Sequence, residues 1–238
     1  MPIQFYTMVQ FLLGLAALGM AGWAGSWGLA GFYDIPADRI LDAWQNPTKP
    51  HSPDTQSWEM VLAYLERARD LEPENAGHVY RIARLVHHRA LEWPPWDEKS
   101  DKLFYYAETS YKQVVKLRPS WGTAWINLAL VQIQSGRVSQ ATSRALHVGM
   151  VLAPTSAPLQ RSAMRIGFAI WPLLEQKEQQ HIVSTVQRLL PGSGEYVLNQ
   201  ARLYGHLATI QPVVASDPVW GKRLKQMLQG KGAPNGGI

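Results

Sequence analysis

The sequence has no cysteine. That absence removes disulfides, thiolate metal sites and thiol nucleophiles together, and it leaves the compartment open, because cysteine-free chains suit cytoplasm and periplasm alike. Charge is missing from the start of the chain: nothing charged precedes Asp34, and no Lys or Arg precedes Arg39. The basic region that opens an ordinary cleaved signal peptide is therefore lacking. The sequence also lacks a glycine-rich phosphate loop, a serine elbow and a metal-binding helix motif. Charged residues make up 17% of the chain and are scattered, so the net charge of +5 gives little support for a nucleic-acid partner, and none is expected.

What is present begins with an apolar N-terminus. Residues 3–33 are apolar, small or weakly polar, densest over 9–18, and about 20 such residues cross a bilayer as a helix. Gly14, Gly19, Gly22, Gly25, Gly28 and Gly31 recur through it, and Trp23, Trp27, Phe32 and Tyr33 gather toward one end as an interfacial belt would. The stretch predicts a transmembrane anchor over 1–33. A cleaved signal is opposed by the missing basic residues, and a buried soluble helix by the glycine density. Two basic residues downstream, Arg39 and Lys49, weigh toward a cytoplasmic C-terminal side, while the short leading tail weighs the other way. The expectation is a single-pass inner-membrane protein with a periplasmic helical domain.

The hydrophobic share of 46% is ample for a core, and after a connector over 34–56 one helical pattern recurs. Val61, Leu65 and Ala68 lead to Leu71 and Pro73, as Ala107, Tyr111 and Val114 lead to Leu117 and Pro119. A third copy runs from Gly136 through Ala141, Ala145 and Val148 to Leu152 and Pro154. Self-similarity of this kind marks a helical solenoid. Helices are predicted from near Asp54 or Ser57 to Glu72 (Ser57 as N-cap), then over 76–91, 101–117, 120–134 and 138–152, and over 159–171, 173–190, 196–209 and 218–228. Pro172, Pro191 and Pro212 separate the later ones. The core face of 76–91 reads Val79, Ile82, Ala83, Val86 and Ala90; Tyr111, Trp121 and Trp125 are expected in the core. The predicted class is all-α: a transmembrane helix followed by a solenoid of antiparallel hairpins over 57–229. Its clearest repeats lie over 57–154, its capping helices over 155–229, and a flexible tail over 230–238.

The residues Ala107, Tyr111 and Pro119, then the run from Trp125 to Ala129, then Gly136 and Ala141, resemble tetratricopeptide repeats. The preceding copy departs from the pattern, because the Trp93-Pro94-Pro95-Trp96 insertion lengthens its inter-helix loop. An anchor followed by such repeats, with Ala43-Trp44-Gln45-Asn46-Pro47 before them, is similar to VpsP-type accessory proteins of bacterial exopolysaccharide biosynthesis. These resemblances imply a protein–protein scaffold beside membrane-bound polysaccharide assembly components, with no enzymatic reaction and no cofactor. The competing expectation is a membrane-anchored holdase, as in cytochrome maturation; an accessory glycan hydrolase would need two facing carboxylates, which are not evident.

The helix over 76–91 presents Tyr80, Arg81, Arg84, His87 and His88 away from its core face. In tetratricopeptide repeats the first helix of each hairpin lines a groove, and by resemblance Asn127 and Gln134 would extend it. Guanidinium forks suit carboxylates and phosphates, so an acidic peptide or anionic glycan is the expected ligand; the competing reading is a solvated face. Trp93 and Trp96 form either a contact loop or a lid over the first hairpin. His78, His87 and His88 are expected as surface histidines rather than metal ligands, and Glu175, Glu178 and His181 as an exposed face.

Overall fold

The computed structural model describes residues 2–45 and 54–229, and every regular element among them is helical. Residues 46–53 of the expected connector and the expected tail over 230–238 lie outside the described residues, as do the side chains of Trp23, Trp27 and Trp44. The chain divides into two compact units, Met1–Arg118 and Pro119–Ile238.

The first unit holds α1 (Pro2–Gln45), α2 (Thr55–Leu71), α3 (Ala76–Ala90) and α4 (Glu98–Leu117). One helix of 44 residues, α1 carries the connector expected from residue 34 as helix as far as Gln45. Pro36 removes a backbone donor inside it. Continuity survives because the second half of α1 is held from outside. Ala30, Ala37 and Leu41 are fully buried, the Tyr33 ring packs 5.6 Å from Tyr64 of α2, and Asp34 and Asp38 bond to α3. The first half is different. Phe11, Leu12, Leu13, Leu15, Leu18 and Met20 are all more than half exposed.

Among the described residues no helix is long and apolar enough to cross a membrane, which corrects the expected transmembrane span. Gly14, Gly19 and Gly22 dilute the apolar stretch over 11–22.

The second unit holds α5 (Gly122–Gln134), α6 (Gln140–Leu152), α7 (Ala157–Ala169), a 3-10 turn (Trp171–Leu173), α8 (Gln176–Leu203), α9 (Leu207–Val214) and α10 (Pro218–Leu228). The break expected at Pro191 is a kink within α8, where Ser193 leaves helical geometry at φ −150° and ψ 24°. The helix expected over 196–209 is divided: α8 ends at Leu203, and Gly205, at φ +76°, takes the left-handed position after it. Pro212 lies inside α9 and separates nothing.

Helices pair in chain order, α1 with α2, α3 with α4, α5 with α6 and α7 with α8. One local device recurs among them. Glu72, Arg118 and Ala153 each close a helix at φ −133°, −135° and −131° with ψ 70°, 78° and 56°. Each stands before a proline, whose ring bars the α conformation from the residue ahead of it. The repeated Leu-x-Pro pattern is thus a repeated hinge. Inside the hairpins, glycine lets helices close up: a Cβ on Gly149 would meet Ile126 Cδ1 at 2.7 Å, and one on Gly167 would meet Ile182 Cδ1 at 2.4 Å.

The predicted core face of α3 is buried at all five positions, and so is Tyr111. Trp121 and Trp125 are only half-buried; the Trp125 indole donates to the Pro119 carbonyl at 2.7 Å at the edge of the core. Asp54, not Ser57, caps α2, accepting from the Ser57 backbone at 2.9 Å and its hydroxyl at 2.6 Å.

Candidate functional site

The predicted binding residues on α3 fall into three roles. Arg81 is a tie. Its Nε donates to Asp38 at 2.8 Å, a second nitrogen reaches the other Asp38 oxygen at 3.2 Å, and a third lies 3.4 Å from Asp34. Such a fork is the strongest side-chain pairing available to a carboxylate. Arg81 therefore fastens α1 to α3, which corrects its placement on a partner surface.

His78 completes the tie. Its ring is buried, with Nδ1 3.0 Å from Asp34 and Nε2 3.0 Å from Glu72. Asn75 also donates to Glu72, at 2.7 Å. Burial pushes the Glu72 carboxyl up, but the Asn75 and His78 hydrogen bonds and the His78 charge together hold it below its ordinary range. His78 is thus no surface histidine, and neither is His87. Four residues after Ala83, His87 shares the core face, where α4 closes over it. It is buried, meets the Phe104 and Tyr111 rings edge to face at 6.0 and 5.8 Å, and lies 3.4 Å from the Tyr111 hydroxyl. That removes His87 from the predicted groove.

Tyr80, Arg84 and His88 remain, spaced four apart in one row and all half-buried. The Arg84 guanidinium stands 5.8 Å over the Tyr80 ring, within cation–π reach. Among the described residues no carboxylate pairs with Arg84. Burial first, and the Arg84 charge second, hold the His88 imidazole below its ordinary range. The row is thus a half-desolvated cation, an aromatic ring and an imidazole whose proton affinity burial lowers.

The loop after α3 splits the two rings read together in the sequence. Trp93 folds back over Arg89, 4.9 Å from its guanidinium, while Trp58 lies 5.6 Å from the same group. Arg89 also donates to Thr55 at 2.8 Å and pairs with Glu92. Trp93 is therefore a lid, whereas Trp96 is 86% exposed beside the exposed Pro94, Pro95 and Leu91.

Asn127 and Gln134 belong to the second unit, half-buried on α5. Gln134 borders a cleft of about 140 Å³ with Arg165 and Tyr204. On α8, Glu178 accepts from Ser143 at 2.9 Å and from the Glu175 backbone at 2.8 Å, so it serves the helix start rather than an exposed face. Burial first, then the Arg188 and His147 charges, hold His181 below its ordinary range. Among the described residues no group of three or more His, Asp or Glu side chains is placed to hold a metal ion.

Asp34 and Asp38 were missed as a site. Their signal was present: two carboxylates four apart, on one face of a helix, call for cationic partners across the packing interface. No family model matches the chain, and no curated protein matches it.

Proposed function

We propose that the chain is a membrane-attached scaffold of tetratricopeptide-like helical hairpins that supports bacterial envelope or exopolysaccharide assembly by capturing protein partners. One observation carries the reading. A single helix, α1, is free and apolar over 11–22 and docked from Ala30 onward by buried side chains and the Asp34 and Asp38 ties. An attachment segment and a folded hairpin array are thus one continuous element. The exposed apolar side chains over 11–22 are the part of α1 available to lipid, and the hairpins are assigned to the periplasmic side. Attachment raises the local concentration of the hairpins beside membrane-bound partners.

The recognition surface is the Tyr80, Arg84 and His88 row, with Trp96 exposed on the loop that follows α3. A forked cation beside an aromatic ring suits a carboxylate-bearing segment of a partner protein. In-cell crosslinking of the full-length chain, with captured proteins identified by mass, tests the assignment. Polysaccharide polymerase, chain-length or export components should be recovered, and Arg84→Glu should cut their capture severalfold while helical content stays unchanged. Recovery of haem-maturation components, or of many unrelated unfolded clients, would replace the scaffold with the holdase reading. Undiminished capture by Arg84→Glu would move recognition away from this row.

A further inference from the structure

The largest groove among those described in the second unit, about 340 Å³, is lined by Trp171, Gln176, Gln179, Gln180, Val183, Ser184, Gln187 and Val213. That volume is within the range of small-molecule sites, whose span is roughly 300–1,000 Å³. No ionisable side chain lines it. On α8, Gln176, Gln180, Val183 and Gln187 follow the helical repeat along one face, a row of about 16 Å at ~1.5 Å per residue. Among the described residues the Gln176, Gln180 and Gln187 amides make no hydrogen bond within the chain, and all three are exposed. Each offers one acceptor and two donors from a neutral head.

The floor is rigid. Gln179 is pinned to the preceding turn, its amide donating to the Trp171 and Leu174 carbonyls at 3.3 and 3.2 Å. Behind Trp171, His206 lies 4.9 Å from the indole and stacks on Phe168 at 5.1 Å and 26°. The His206 ring is itself held, with Nε2 3.1 Å from the Phe168 carbonyl. An indole braced in this way keeps its orientation whether or not a ligand is present, which lowers the ordering cost of binding.

We propose that this groove binds a neutral oligosaccharide. A sugar ring presents an apolar C–H face to an indole and, around its rim, hydroxyls that both donate and accept. Amide heads of glutamine match such hydroxyls in both directions, whereas lysine, arginine or carboxylate heads match in one only. Absence of charge from the lining disfavours an anionic glycan, and the length of the glutamine row suits a chain of several units rather than one monosaccharide. A polypeptide backbone also takes amide hydrogen bonds, but it offers no apolar ring face to Trp171. The proposal concerns a different unit from the α3 row and does not depend on protein capture there.

The test uses the purified full chain in lipid nanodiscs, since sugar-headed detergents would compete, on an array of neutral and acidic oligosaccharides and capped neutral hexapeptides. At least one neutral oligosaccharide should bind, and Gln180→Ala with Gln187→Ala should weaken it roughly tenfold or more. Those two side chains are exposed, so circular dichroism should match the unaltered chain. Trp171→Phe, which keeps a ring on the same bracing, should weaken binding by less than the glutamine pair. Binding to no neutral oligosaccharide would overturn the proposal, as would equal or tighter binding of acidic oligosaccharides or hexapeptides. Affinity untouched by the glutamine pair would overturn it equally. Protein capture through Arg84 has a separate readout, so either result can fail alone.

Discussion

Arg81 and Arg84 stand one helical turn apart, yet their surroundings give them opposite work. Arg81 meets two carboxylates of α1 and becomes part of the fold, whereas Arg84 stands over a tyrosine ring and its charge lowers the His88 pKa. Arg81→Ala should loosen α1 at a cost of about 1.5–3 kcal/mol, the range for hydrogen bonds to charged groups. Hydrogen exchange should speed up over 30–45 and stay slow in α4; unchanged exchange over 30–45 would show that the tie is idle. The folded His88 pKa lies below the ordinary 6.5, so the unfolded chain takes up the proton first, and stability declines as pH falls below about 6.5. Arg84→Gln should raise the His88 pKa only partway, because burial is the larger cause, and imidazole proton shifts across pH 4–8 would measure it. Glu72 adds a lower window, since its stabilising effect is full above its ordinary 4.5 and fades as pH falls through its lowered folded value. The sequence puts Tyr80, Arg84 and His88 off the core face of α3, and the structure leaves all three half-buried. The sequence could not separate Arg81 or His78 from them, because the partners lie on α1, some forty residues away.

At the scale of elements, the helices and their order were legible, because Pro73, Pro119, Pro154 and Gly136 punctuate an amphipathic pattern that packing then rewards. The lapses have local causes. Gly205 was a stop signal that went unused, and Pro212 was given a breaking role that a short helix does not obey. Close approach was the least visible feature, since a glycine inside a helix reads only as a weak propensity. Gly167→Ala should gain about 1 kcal/mol of helix propensity and lose more, about 1–3 kcal/mol, to overpacking against the fully buried Ile182. A lower melting temperature is expected, partly restored when Ile182→Val is added. A rise in melting temperature would show that α7 and α8 can separate without cost.

For the whole molecule, the sequence conveyed an all-α hairpin array joined to an apolar N-terminus, and the structure adds that the join is unbroken helix. Its reading of a span was too generous, because charge-free is not the same as apolar when glycine recurs every few residues. Lipid attachment is measurable: the full chain should float with liposomes, and Leu12→Gln, Leu13→Gln, Leu15→Gln and Leu18→Gln combined should leave it at the bottom of the gradient. These side chains are exposed, so circular dichroism should change little. Flotation that survives the four substitutions would place attachment elsewhere in the chain.

A rod held at one end also transmits load. Residues 2–29 of α1 form an arm of roughly 42 Å, and the clamped stretch over 30–41 is roughly 17 Å, both at ~1.5 Å per residue. By ordinary leverage, a sideways push at the far end is resisted over the shorter clamped stretch that contains the Asp34 and Asp38 ties. Those ties end on His78 and Arg81, within about three turns of Arg84 and His88 on the same helix. Tilt imposed on the arm by its surroundings is therefore felt as torque at the base of the surface that α3 presents.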